Sequence, residues 1–408
     1  MTDAESTIAE SSRPERGIVL LLALLAALGM LSTNIILPSF GSIAASLDVA
    51  VADLGLALTL FFLVFALGQL VVGPLSDRFG RGPLVVVGLA LLAVGSLLCM
   101  AATSFPVLLA GRVVQALGAC AASVLSRAIA RDLFEGPKLA GALTFMMVAM
   151  AAAPGFSPLL GGLIEQSLGW RWSFLIVAAA ALAACLLYMC IVGETHTAER
   201  RAGLAARRIV GAYLTLASDL RFLSPAMCVG LATGGLFGQF TASPAILMGE
   251  FGFTALQLGL FFATTVFVVF LAGGVAARLA GRISPAHAIR IGLGLIAVGG
   301  MLGAAGSVAA DDNGLIIYVA EVILFLFGMG IATPLGTAQA MAPFGAVAGA
   351  ASALLGFLQM SGAALGSYIV TALPLSPLLS LGVVQCGAGL LGLLVSLPLL
   401  SRRSYPAG

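Results

Sequence analysis

The chain is poor in charge. Only 9% of its 408 residues are Asp, Glu, Lys or Arg, where a soluble domain carries about 25%. With 61% hydrophobic residues and a mean hydropathy of +1.14, a water-soluble fold of this size could not hide its apolar surface. Lysine is reduced to Lys138, and no GxxxxGK[ST] occurs, so the chain carries no P-loop ATPase of its own. The two histidines, His196 and His287, lie in or beside polar connectors, which argues against a histidine relay across a membrane. The six cysteines (Cys99, Cys120, Cys185, Cys190, Cys228 and Cys386) fall inside apolar runs without metal-ligand spacing, and they read as small packing residues. No nucleophile–base pair can be argued, so an enzyme is not expected, nor is a metal or cofactor. A net charge of +2 offers nothing to a nucleic acid.

What the sequence has in abundance is apolar length. Runs near 18–40, 54–74, 83–102, 105–127, 139–164, 172–193, 222–249, 254–280, 286–308, 314–338, 345–372 and 377–401 are each about long enough to cross a bilayer. They show no strand alternation, and a lipid-embedded backbone must satisfy its own hydrogen bonds, so they are expected to be helices. The expectation is an all-α membrane protein of twelve transmembrane helices. The first run is too long for a signal-peptide core and follows the acidic residues Asp3, Glu5, Glu10 and Glu15, so it reads as a span.

The connector 194–221 is the longest polar stretch. It divides a 1–17 tail and an 18–193 half from a 222–401 half and a 402–408 tail. The halves echo each other at an offset of about 204: Asp53-Leu-Gly-Leu56 returns as Gln257-Leu-Gly-Leu260, Arg78 as Arg282, and Ser157 to Gly162 as Ser361 to Gly366. Two repeated six-helix halves, with a substrate held between them near the midplane, form the plan of a secondary transporter.

Charge placement orients the chain. One face receives 17 of the 19 basic residues: Arg13, Arg16, Arg78, Arg81, Arg127, Arg131, Lys138, Arg200, Arg201, Arg207, Arg208, Arg221, Arg278, Arg282, Arg290, Arg402 and Arg403. Asp48, Asp53, Glu165, Glu250, Asp311 and Asp312 fall on the other, with Arg171. The positive-inside bias makes both termini cytoplasmic. Trp170 and Trp172 read as interfacial anchors.

Several stretches resemble the major facilitator superfamily. Gly73-x-Leu75-x-Asp77-Arg78-x-Gly80-Arg81 is similar to its signature loop between spans two and three, a latch for the cytoplasmic helix ends. Gly281 replaces Asp77 at the matching place in the second half. Gly111-Arg112-x-x-Gln115-Ala-x-Gly118 resembles the family's buried-arginine motif, and Ser126 to Phe134 its next loop. Pro154-Gly-Phe-Ser-Pro158-Leu-Leu-Gly161-Gly162 resembles the antiporter motif, and Gly169-Trp-Arg-Trp-Ser-Phe174 the start of span six. Leu31-Ser-Thr-Asn34-Ile-Ile-Leu-Pro38 looks like the opening of the Bcr/CflA group of drug exporters. That group usually has an aspartate where this chain has Asn34. An asparagine can hydrogen-bond a substrate but cannot carry a proton through a cycle, so the resemblance does not bring proton coupling onto this position.

The resemblance implies a two-half exporter of the bacterial inner membrane, exchanging an amphipathic small molecule for protons as a monomer in the lipid bilayer. A metabolite exporter or an uncoupled facilitator of the same fold is the alternative. The alternative of another class is a non-transporting membrane enzyme, which would need a reactive constellation in the spans, or a receptor, which would usually add a soluble domain.

Arg112 is a charge inside a span, so it is expected to face a cavity or a partner. With Gln115 one turn on, it could hold substrate or a water path, or tie helices together through carbonyls. Glu321 is the only carboxylate well inside a span; it is a candidate proton carrier or a locally hydrogen-bonded carboxyl. Met146 and Met150 suit an adaptable pocket or a packing stripe. Phe61, Phe62, Phe237, Gln239, Phe240, Phe357 and Gln359 are further candidates for the cavity wall. Pro154, Pro158, Gly161 and Gly162 would let span five flex and pack closely.

Overall fold

A computed structural model describes residues 3–196, 206–279, 282–307 and 314–400. Arg200, Arg201, Arg402, Arg403, Asp311, Asp312, Gly281 and the 402–408 tail lie outside the described residues. Among the described residues every regular element is a helix: α1 Asp3–Asn34, α2 Phe40–Leu47, α3 Leu54–Phe79, α4 Arg81–Met100, α5 Phe105–Leu133, α6 Gly136–Ser167, α7 Trp170–Ile191, α8 Ala206–Ser218, α9 Leu220–Ser243, α10 Ala255–Leu279, α11 Pro285–Gly306, α12 Gly314–Met341, α13 Ala348–Ala372, α14 Pro377–Val395 and α15 Leu397–Leu400.

Among the described residues, eleven apolar segments are long enough to cross a bilayer. One of them, Gly314–Ala372, has 59 residues and holds both α12 and α13, joined by a 3-10 stretch in which Phe344 leaves helical geometry. At 1.5 Å per residue it is far too long for one crossing. The spans therefore number twelve: α1 with α2, then α3 to α7, and α9 to α14. Large apolar side chains point outward along them, Phe267 at 69% exposed and Leu271 at 64% among them, as lipid-facing residues must.

The helices overrun the apolar stretches of the sequence. Gly73 to Phe79 are the last turns of α3 rather than a loop, and Gly80 alone separates α3 from α4. Gly80 has φ +97° and ψ 157°, a backbone open essentially to glycine. Pro74 sits inside α3 and cannot donate to the carbonyl of Leu70. That carbonyl instead accepts from the hydroxyl of Tyr213 on α8, at 2.9 Å. The connector between the halves is thus partly a helix, docked on α3 by the bond that the proline leaves unmade. Trp170 is not an interfacial anchor. It is buried against Phe174, with the Arg171 guanidinium 4.1 Å above its ring; Trp172 is the exposed one.

Each half packs as a bundle, α4 on α5 and α7 in the first, α11 on α12 and α14 in the second. The halves meet along two seams, α3 against α13 and α6 against α10.

Candidate functional site

The first span is broken. α1 ends at Asn34, residues 37–39 form a 3-10 turn, and α2 resumes at Phe40. Its counterpart α9 runs into a π-helical turn, Pro244–Glu250. Interrupted helices inside a membrane bundle leave backbone groups to be satisfied by something other than their own helix. At the α1 break that something is Arg112. Its Nη1 donates to the carbonyl of Ser32 at 2.9 Å and to Oε1 of Gln115. The cation thus lies where the helix dipole is negative. Gln115 in turn donates through Nε2 to Oγ of Ser96 at 2.8 Å, and Ser96 to the Leu92 carbonyl. The guanidinium lies 4.3 Å from the ring centroid of Phe61. Arg112 and Gln115 are fully buried, and the arginine's Nε and Nη2 have no hydrogen-bond partner. Of the two structural alternatives, tying helices through carbonyls is met by one side of the guanidinium; the other side is unspent.

Asn34 is also fully buried. Its Nδ2 donates to the Met30 carbonyl at 3.1 Å, and its Oδ1 has no partner. Span five closes on the same break. A Cβ on Gly161 would overlap the Ile35 carbonyl, and one on Gly162 would come 2.5 Å from the Ala255 carbonyl of α10. Glycine at these two places lets α6 touch the broken span and the other half at once. Pro158 is buried beside them and Pro154 is half-buried.

The aromatic candidates do come together. Phe61 meets Phe62, and Phe62 meets Phe237 across the halves with centroids 4.3 Å apart. Phe237 meets Phe240, and Phe240 meets Phe262 of α10. Others lie elsewhere. Gln239 turns to α14, where Gln385 donates to its Oε1 at 3.5 Å. Met146 is buried in the half of α6 nearer the basic face, Met150 is half-buried a turn on, and Gln359 and Phe357 are half-buried on α13.

Glu321 is fully buried, and neither oxygen has a hydrogen-bond partner. It therefore neither snorkels nor bonds locally. Its carboxyl lies over Gly303 of α11, whose missing side chain makes the room: a Cβ there would be 2.9–3.1 Å from Cδ, Cγ and Oε2. It faces α11 and is not part of the Arg112 cluster.

The signature stretch makes a clasp within the first half. Arg81 is buried; its Nη1 is 2.6 Å from Asp77 Oδ1, and Nε donates to Asp132 of α5 at 3.1 Å. Its backbone N–H donates to Glu194, just beyond α7, at 3.0 Å. The cluster joins α3, α4, α5 and the end of α7. Asp77, near the end of α3, therefore pairs with the arginine that opens the next span, α4, across the Gly80 turn. Arg78 is exposed, over the Phe79 ring, and a Cβ on Gly73 would meet nothing.

A second polar cluster was not visible in the sequence. Oγ of Ser367 on α13 lies 2.8 Å from Oγ1 of Thr241 and 3.3 Å from that of Thr59, and beside them Gly55 is packed against Thr371. It closes the α3–α13 seam at the face opposite the clasp. Scattered Ser, Thr and Gly in apolar helices are common, so no local signal singles these out. Nearer the basic face the same seam has Gln69 lying on Gly356.

Comparison with known proteins agrees with this architecture. A family model described as Major Facilitator Superfamily matches residues 22–367. Multidrug resistance protein D of Escherichia coli (strain K12) is 29% identical over 396 residues, 95% of this chain and 97% of that protein. Chloramphenicol resistance protein of Pseudomonas aeruginosa is 31% identical over 369 residues, 87% of this chain and 84% of that one. A bacterial homolog of the human lysosomal transporter Spinster, solved in an inward-facing and unoccupied conformation, superposes with a TM-score of 0.73 at 18% identity over 97% of this chain and 99% of that one. That last likeness is one of fold.

Proposed function

The chain belongs to the major facilitator superfamily, and from that premise we propose that it exports drug-like small molecules across a bacterial inner membrane by alternating access, with both termini cytoplasmic. The observation that carries this reading is the broken first span held by the half-satisfied Arg112, at the end of an aromatic path that crosses both halves. The drug-resistance relatives point the same way. The basic face is then the cytoplasmic one. The Ser367–Thr241–Thr59 cluster, with the α6–α10 contacts at Gly162, closes the outer side, and the clasp around Arg81 holds the first half as one body while the seams open and close.

Proton antiport, if this chain performs it, runs through Glu321: α1 offers Asn34 and no acid, and Glu321 is a carboxyl buried inside a span without a partner. An uncoupled facilitator is the second reading, favoured by the same Asn34. Expression in an efflux-deleted bacterial host, with drug resistance and the accumulation of a fluorescent substrate measured for the wild type and Arg112→Ala, tests the exporter assignment. Identical accumulation with and without the wild-type protein across a broad panel of compounds would reject it.

A further inference from the structure

Charge inside the membrane-spanning bundle is scarce and unevenly placed. Arg112 lies six residues before Gly118 and Glu321 seven before Gly328, glycines that pack alike on α4 and α11, so the two sit at similar depth in α5 and α12. They do not pair. Among the described residues no carboxylate forms an ion pair with Arg112. Its contacts are two neutral acceptors and the face of Phe61, and two of its nitrogens remain unpartnered while fully buried. Glu321 is turned onto Gly303 of α11. At the broken span, then, the field is positive and the N–H donors of a planar fork are unspent. The unmet Oδ1 of Asn34 is close by in sequence to the Ser32 carbonyl that holds the arginine.

A buried guanidinium left in this condition favours a ligand that brings oxygen lone pairs and negative charge. A lipophilic cation would meet like charge with no carboxylate to offset it, which is unfavourable in a desolvated site. The Phe61, Phe62, Phe237, Phe240 and Phe262 rings, buried against one another across the halves, are the apolar surface that an apolar or aromatic body would meet where the halves part. We propose that the substrate is an amphipathic organic anion, an aromatic or apolar body carrying a carboxylate, sulfonate or phenolate that docks on Arg112. The proposal rests on the exporter reading of the same site and adds the sign of the substrate's charge.

The test uses two probes with one body, naphthylacetate and naphthylmethyl-trimethylammonium, with the purified full-length protein in lipid nanodiscs. Binding is read by fluorescence, and extrusion of a drug panel is measured in cells in parallel. The anion should bind at least about tenfold more tightly than the cation, a difference of about 1.4 kcal/mol. Arg112 also holds α1, so its variants can lose the fold; Asn34→Asp leaves the arginine in place and adds a carboxylate at the break. In Asn34→Asp the preference should shrink or invert. Equal binding, a preference for the cation, or an unchanged preference in Asn34→Asp overturns the charge assignment while extrusion from cells still upholds the exporter. Binding of neither probe, with no extrusion of any compound, overturns both.

Discussion

The pairs α4–α5 and α11–α12 are built on the same glycine ladder and carry opposite charges on different faces. In the first pair Gly118 rests on the backbone of Gly88 and Leu92, and Gly95 on that of Gln115; in the second Gly328 rests on Gly292 and Ile296, and Gly299 on Phe325. Gly88 and Gly292 are 204 residues apart, but Gly118 and Gly328 are 210 apart. By sequence, seven residues separate the described ends of α11 and α12, against four between α4 and α5. Matched through packing, Gln115 corresponds to Phe325, Arg112 to Val322, and Glu321 to Gly111. One residue is about 100° around a helix. That rotation sends Arg112 toward the break in span one and Glu321 toward its own neighbour α11. The space is exchanged as well: Gly111 makes room for Cys99 in the first half, and Gly303 makes room for Glu321 in the second. A repeat can thus keep its backbone packing and still divide its chemistry, with a buried cation at the break in span one in one half and a buried carboxyl at a helix seam in the other.

The largest expected effect breaks the comparison outright. Arg112→Ala should lower the transport rate in proteoliposomes by ~100-fold or more, about 3 kcal/mol, and Arg112→Lys should restore only part, since lysine lacks the planar fork. Val322→Ala at the matched position should cost about 1 kcal/mol of stability and little transport; comparable transport loss in both variants would mean the halves are not divided as described. Next comes the carboxyl. Glu321→Gln should retain drug binding and lose the pH dependence of transport measured against an imposed proton gradient; an unaltered proton-driven rate removes Glu321 from coupling.

Gly303→Ala should cost about 1–3 kcal/mol in thermal unfolding, because α11 must move off the Glu321 carboxyl. Adding Glu321→Ala should recover most of it, and strict additivity in that double-mutant cycle would place the carboxyl elsewhere. The smallest stability effect belongs to the clasp. Asp77→Asn removes one half-exposed ion pair, worth at most about 1 kcal/mol, so protein level and melting should change little while transport slows. Normal transport rates would show that the clasp does not require Asp77.

The glycine and proline motifs were legible in advance because their residue types are rare in combination, and Gly161 and Gly162 are indeed where α6 meets the broken span and α10. Arg112 and Gln115 stood out because charge and amide groups are conspicuous in an apolar run. The Ser367–Thr241–Thr59 cluster did not, since hydroxyl side chains satisfy themselves on their own helix in most membrane spans. The clasp was anticipated as a bridge between helix ends, and Arg81 at the start of α4 does join Asp77 of α3 to Asp132 of α5; that Asp132 and Glu194 would be its other partners was not readable from spacing alone.

By itself the sequence determined that this is a twelve-span helical membrane protein in two related halves. Hydropathy decides which segments leave water, and a lipid-embedded backbone has almost no choice but the helix. Composition and spacing can go that far because each span answers to its solvent one segment at a time. Which way a side chain faces is settled between segments. The register of packed glycines, which is 210 residues on for α12 and 204 for α11, and not the repeat in the sequence, left Glu321 buried against Gly303 while Arg112 faces the break in span one.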